Sequence, residues 1–140
     1  DWYLLSEKLN LGLHHFVRDL LKLYRKYPCM YERDNSWEGF EWMNCDDKER
    51  STYSFVRKSE NGKNNLLFVI NMTPMKWEDY VVGVPKKKKY KLLLNSDEKQ
   101  FGGSGVQMPK ELNAKKESCN GKEYSITMDL PPFSALIFQF

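Results

Sequence analysis

The stretch at residues 66–85, LLFVINMTPMKWEDYVVGVP, decides the fold. It opens with an unbroken apolar run, Leu66-Leu67-Phe68-Val69-Ile70. It breaks at Asn71-Met72-Thr73-Pro74 and resumes as Tyr80-Val81-Val82-Gly83-Val84. Proline has no amide hydrogen to give a ladder, so Pro74 closes the first strand and Pro85 the second. Two strands joined by a structured connection bearing Trp77 point to a β-sandwich.

On either side of this stretch the period is that of strands. Segments 40–43, 52–58, 80–84, 90–95, 123–130 and 135–140 join 66–71 as candidates. In 52–58, Tyr53, Phe55 and Arg57 alternate with Ser54, Val56 and Lys58, and Asn61-Gly62 supplies the turn that follows. In 123–130, Tyr124, Ile126, Met128 and Leu130 alternate with Ser125, Thr127 and Asp129. Pro131-Pro132 then breaks pairing before a last apolar strand. Seven short strands at this spacing predict an antiparallel sandwich with Greek-key connections. Residues 101–120 read as a long loop with room for one further short strand.

Only the beginning of the chain is helical. Leu9, Leu13, Phe16, Val17, Leu20, Leu23, Tyr24 and Tyr27 share one face at about 100° per residue, and His14, Arg18, Lys22, Arg25 and Lys26 the other. Ser6 or Asn10 is placed to cap the start, and Pro28 stops the end, where Arg25 and Lys26 suit the dipole. So wide an apolar face must pack on something. Leu11, on the polar side, hints at a second contact surface.

Composition bounds what such a chain can be. Its 140 residues allow one domain, and a chain of that size buries roughly 65–70% of its extended surface, so neither disulfides nor metal are needed to fold it. A net charge of +3, with acids spread throughout, does not call for a nucleic-acid partner. Cys29, Cys45 and Cys119 are odd in number, far apart and without a Cys-x-x-Cys pair. They predict reduced, mostly packed thiols in a cytoplasmic protein rather than a disulfide framework or zinc site. Asn71-Met72-Thr73 fits a glycosylation sequon, but the cysteine usage argues against secretion. No apolar run approaches the roughly 20 residues of a membrane span, and no signal peptide is visible. The chain starts at Asp1 without an initiator methionine, as a piece of something longer would.

The search for chemistry returns little. His14 and His15 are adjacent on a helix, so their side chains diverge and cannot share a metal. Phe101-Gly102-Gly103-Ser104-Gly105 has the look of a phosphate cradle, yet no Lys-Ser/Thr follows and no strand-to-helix context surrounds it. Val106 stands where a nucleophile elbow needs its second glycine, so a flexible loop is expected there. The pairs Asp46-Asp47 and Glu78-Asp79 fall in polar turn sequence. General acid–base work would require one of these acids to be desolvated. Lys86–Lys89 reads as a charged hairpin connection that guards a sheet edge, since no stacking aromatics interleave it. Trp37 and Trp42 flank Gly39-Phe40-Glu41, and Trp77 lies in the loop between two strands. Indole faces can stack on sugar rings; the simpler role for Trp42 and Trp77 is packing in the core or under a lid.

These motifs, in order, resemble a known family. Asp1-Trp2-Tyr3-Leu4-Leu5, Gly12-Leu13, Val17-Arg18-Asp19-Leu20 and Leu23-Tyr24-Arg25 resemble the last catalytic-barrel helix of bacterial glycogen branching enzymes. Tyr31-Glu32 through Gly39-Phe40-Glu41-Trp42 resembles that family's link into its C-terminal domain. Asp46-Asp47, Ser54-Phe55-Val56-Arg57-Lys58, Asn71-Met72-Thr73-Pro74, Asp79-Tyr80, Gly83-Val84-Pro85, Leu94-Asn95-Ser96-Asp97, Gly102-Gly103-Ser104 and Leu130-Pro131-Pro132 continue the series. The resemblance covers essentially the whole chain. It departs at Cys29-Met30, where the family tends toward Ala-Leu, and at the lysine run.

The resemblance implies a mainly β fold: a Greek-key sandwich at residues 35–140, preceded at 1–34 by an amphipathic helix and linker belonging to a catalytic barrel. The family is α-amylase-like; it cuts an α-1,4-glucan and rejoins the segment through an α-1,6 bond. Retaining chemistry of that kind uses two carboxyls roughly 5 Å apart. In the family both lie upstream of Asp1, so no catalytic residue, metal or cofactor is expected in this chain, which alone should be inactive. The implied partners are the missing barrel and α-glucan, with Trp42 the leading sugar contact and Trp37 a weaker one. Exposed apolar surface should also favour self-association. A free-standing carbohydrate-binding module and a protein-interaction domain are the competing readings.

Overall fold

In the computed structural model, which describes residues 1–140, the 66–85 stretch supplies one strand to each of two sheets. The elements are α1 (Lys8–Lys26), β1 (Phe40–Asp47), β2 (Thr52–Arg57), β3 (Leu66–Asn71), β4 (Trp77–Val84), β5 (Lys89–Asn95), β6 (Glu111–Asn113), β7 (Tyr124–Leu130) and β8 (Ser134–Gln139). A six-stranded antiparallel sheet runs β1-β2-β3-β8-β5-β6, and β4 pairs with β7 in a two-stranded sheet facing it. The chain changes sheet between β3 and β4 and returns at β5. β8 comes back from the far end of the chain to lie between β3 and β5, the long-connection pattern of Greek-key sheets.

Why β3 is apolar from Leu66 to Ile70 follows from what covers it. Leu67 and Val69 point between the sheets, where they meet Val82, Ile126, Leu136 and Phe138. Leu66 and, at its rim, Phe68 point the opposite way, into a second cluster with Tyr27, Leu94 and Ile137. That cluster lies under α1, whose Phe16, Leu20 and Leu23 pack on it. The large sheet is therefore buried on both faces around β3, which a continuous apolar run requires.

Asn71 shows how the break after β3 is held. Its side chain is 1% exposed. The amide donates to the carbonyls of Met75 and Pro131, each at 2.8 Å, and its oxygen accepts from the Thr73 amide and hydroxyl. All its capacity goes to closing the turn onto the β7–β8 connection, so in the folded chain this sequon offers no amide for glycosylation.

Several local expectations are corrected. Neither Ser6 nor Asn10 caps α1: Glu7 occupies that position, while the Ser6 hydroxyl and Asn10 amide donate to Tyr3 and Leu4 carbonyls in a preceding 3-10 turn. β1 extends to Asp47, and β4 begins at Trp77, which therefore belongs to a strand. Asp46-Asp47 and Glu78-Asp79 are likewise in strands rather than turns. The lysine run links strands of different sheets, so it is a crossover and not a hairpin; Lys89 opens β5 and meets Glu111 at 3.0 Å. Cys29 is buried, which pushes its thiol up to about 11, but Cys45 is exposed.

Candidate functional site

The glycine loop is already occupied by the protein itself. The Asp97 carboxylate, 3% exposed, accepts from the Ser104 amide and hydroxyl at 2.7 Å and from the Val106 amide at 2.8 Å. The Gly105 amide donates to the Asp97 carbonyl at 2.9 Å. Gly103 sits so close to the Asp97 backbone that no side chain fits. Amides that would have to receive a phosphate are turned onto a buried carboxylate, and the loop is a fixed clasp, not the flexible segment expected. It presents a 3-10 turn, Lys99–Phe101, to helix α1, where Phe101 meets Phe16 edge-on at 5.4 Å.

Helix α1 uses only half of its apolar surface. Gly12, Phe16, Leu20, Leu23 and Tyr27 lie within about 80° of arc at 100° per residue, and these contact the domain. Leu13, Val17, Leu21 and Tyr24 occupy the next 80° and remain exposed. The clasp and β5 lie along the opposite flank, where Asp19, Lys22 and Lys26 border Leu93 and Gln100 in an open groove. The bare strip therefore looks toward β2 and β1. Trp2 and Tyr3, ahead of the helix, are 85% and 72% exposed.

On that same outer sheet face runs a row of aromatic rings. Phe68, Phe55 and Trp42 are register partners on β3, β2 and β1. Phe68 and Phe55 stack at 4.7 Å with planes 8° apart, and Phe40 stacks on Phe55 at 5.2 Å. Trp42 stands edge-on to both Phe40 and Phe55. The phenylalanine faces are spent on one another, so the row offers ring edges outward. Trp42 remains half-exposed, and Trp37 is almost wholly so in its 3-10 turn, Trp37–Gly39. Both indoles border Phe40; beside Trp37 is a shallow groove of about 410 Å³ with Asp34 and Arg57. Arg57 donates to the Asp34 carboxylate at 2.6 Å and to the Cys29 and Met30 carbonyls, which ties the linker to β2.

Sequence reasoning missed a polar cleft at the far end of β1. Asp47, Glu78 and Asp79, drawn from both acidic pairs, line it with Arg50, Trp77 and Asn120. Arg50 donates to Asp47 at 3.2 Å and lies over the Tyr80 ring, whose hydroxyl shares a 2.6 Å hydrogen bond with Thr52. Only the partnering of β1 and β4 across the sandwich edge brings these acids together. No three His, Cys, Asp or Glu side chains converge as a metal site, and no helix is long and apolar enough to cross a membrane.

Comparison with known proteins places this arrangement among relatives. The family model described as alpha amylase, C-terminal all-beta domain, matches residues 42–140. The chain is 53% identical over 140 residues to the 1,4-alpha-glucan branching enzyme GlgB of Butyrivibrio fibrisolvens, covering all of this chain and 22% of that protein. It is 39% identical over 136 residues to the enzyme of that name from Aquifex aeolicus, covering 97% and 22%. With GlgB 1 of Clostridium perfringens strain 13 the identity is 34% over 140 residues, covering 99% and 21%. The chain thus spans about a fifth of the length of the curated relatives it matches.

Proposed function

The chain belongs to the alpha-amylase C-terminal all-beta domain family, and from that premise we propose that it is the C-terminal part of a cytoplasmic 1,4-alpha-glucan branching enzyme. Residues 1–34 are then the last helix and linker of a catalytic barrel, and residues 35–140 the domain that braces it. The observation that carries this reading is the divided helix. One flank of α1 is seated on the sandwich, and the neighbouring flank, Leu13-Val17-Leu21-Tyr24, is bare. A helix that belongs to two bodies needs two apolar flanks, whereas a free-standing module would gain nothing from the second. The barrel covers that strip.

In the parent enzyme the barrel supplies the retaining carboxylate pair, and this chain contributes position. Its own acids are poor candidates for the reaction. The two carboxyls displaced from their ordinary range, Asp19 and Glu41, are both held down by neighbouring cations, so neither is kept protonated as an acid catalyst. Trp42, with Trp37 beside it, is the glucan contact. One stacked indole is worth about 1–3 kcal/mol by analogy with base stacking, so affinity is millimolar or poorer.

Incubating α-1,4-glucan with this chain alone should create no α-1,6 linkages and leave iodine staining unchanged. Joining it to the upstream part of the Butyrivibrio fibrisolvens enzyme, in place of that enzyme's own C-terminal segment, should give a branching enzyme. Turnover by the chain alone, or an inert but folded fusion, would sink the proposal. The bare strip also predicts self-association on size exclusion, relieved by Val17→Glu with Leu21→Lys; a monomer at all concentrations would speak for the free-standing module.

A further inference from the structure

The cleft at the Asp47 end of β1 is built differently from the Trp37 groove at its other end. Its volume is about 390 Å³, inside the ~300–1,000 Å³ of small-ligand sites. Pairing of β4 with β7 slips between Trp77 and Tyr80. A regular strand sends consecutive side chains to opposite faces, and this bulge lets both Glu78 and Asp79 border the cleft. Asp79 takes φ +48° there, and Asn120, packed beside β4 at Gly83, takes φ +52°. Both are residue types that tolerate left-handed backbone.

The floor is rigid and the rim has unspent capacity. Asp47 is held by Arg50 and the Thr52 hydroxyl. The Asp79 carboxylate has no partner, although its backbone amide is fixed by Asp129 at 3.1 Å. Asn44 and Asn120 use only their oxygens, which accept from the Asp46 and Gly83 amides, so both NH2 groups point to no acceptor in the protein. Trp77 adds an apolar wall, and its Nε1–H is covered without an acceptor. With Arg50 answering Asp47 and Lys76 answering Glu78, the unpaired Asp79 carboxylate still disfavours an anionic ligand, and the acids do not converge on a cation. Carboxylate, amide NH2 and an indole side by side fit a neutral polyhydroxyl, whose hydroxyls both donate and accept while its C–H face packs on the ring.

We infer that this cleft is a sugar subsite separate from Trp37 and Trp42, holding a glucosyl unit of an α-glucan through Asp79, Asn44, Asn120 and Trp77. It rests on the glucan reading above and adds a second anchoring point at the opposite end of β1. A chain held at both ends of the strand would be tethered to the domain while its free end reaches the barrel.

The test is a titration of the isotopically labelled 140-residue chain with maltoheptaose, reading side-chain NH signals by NMR. The NH2 signals of Asn44 and Asn120 should shift saturably, in the unmodified chain and in Trp42→Ala alike. Asp79→Asn and Asn120→Asp keep the left-handed backbone accessible but exchange acceptor for donor and donor for acceptor. Each should weaken the cleft's response roughly tenfold without lowering the unfolding midpoint. Shifts at Trp37 and Trp42 alone would overturn this inference and leave the glucan reading standing. Silence at both places would remove both. Equal shifts with cellopentaose would refute an α-glucan subsite.

Discussion

Gly12 of helix α1 lies against Phe101 so closely that a β-carbon at position 12 would stand 3.0 Å from both the carbonyl carbon and oxygen of Phe101. Backbone meets backbone where the helix crosses the clasp, and this sets the depth at which α1 sits on the sheet. At an open helix position Gly→Ala gains roughly 1 kcal/mol. Here Gly12→Ala should gain nothing, and Gly12→Val should lose about 2 kcal/mol by overpacking, as read from urea unfolding midpoints. A stabilised Gly12→Ala variant would show that the helix is not seated at this point.

What Gly12 rests on is held in turn by Asp97. Asp97→Asn preserves shape but turns an amide NH2 toward one of the amide donors, Ser104 or Val106, that the carboxylate serves. An unsatisfied buried donor costs about 1–3 kcal/mol, and the variant should lose about 2 kcal/mol on that ground. Amide exchange should accelerate at Ser104 and Val106 before it does in β3. Unchanged exchange there would remove the clasp from the account.

Glu41 on β1 accepts from Lys122, ahead of β7, and from Lys58, so it straps the two sheets together. Lys122 is the main reason its carboxyl titrates below the ordinary 4.5; partial burial opposes this and Lys58 adds to it. A lowered folded pKa gives stability that is complete above the unfolded value and is lost as pH falls through the folded one. Glu41→Gln should therefore cost about 1 kcal/mol or less at neutral pH, since the carboxylate is a third exposed. The difference from the unmodified chain should shrink as pH falls below the ordinary 4.5 and close once the folded carboxyl is protonated. A gap that persists in acid would mean the glutamine disturbs packing and not charge.

How far these features could be read from the residues varies with their range. Leu66–Ile70 reads as a strand because its burial on both faces is written into every position. The helix is legible for the same reason, but its division is not: Leu13 and Leu20 look alike in a periodic pattern, and only the position of the clasp decides which is covered. Trp77 reads as loop because Pro74 and Lys76 precede it, whereas pairing with Leu130 draws it into β4. The Asp97 clasp is invisible locally, since a carboxylate seven residues before Ser104 has no signature beyond the glycines that let it close. The polar cleft depends on residues from three distant segments, and no spacing rule joins Asp47 to Asp79 or Asn120.

The account turns on the bare flank of α1 being covered when the rest of the parent enzyme is present. A cysteine placed there by Val17→Cys reports this directly, through thiol-labelling rates resolved at position 17 by mass spectrometry. In the 140-residue chain, diluted until it runs as a monomer, it should label freely. In the fusion with the upstream part of the Butyrivibrio fibrisolvens enzyme it should slow on the order of a hundredfold, because labelling must then wait for local opening. Equal rates in the two proteins would contradict the account, for the flank would face solvent in both.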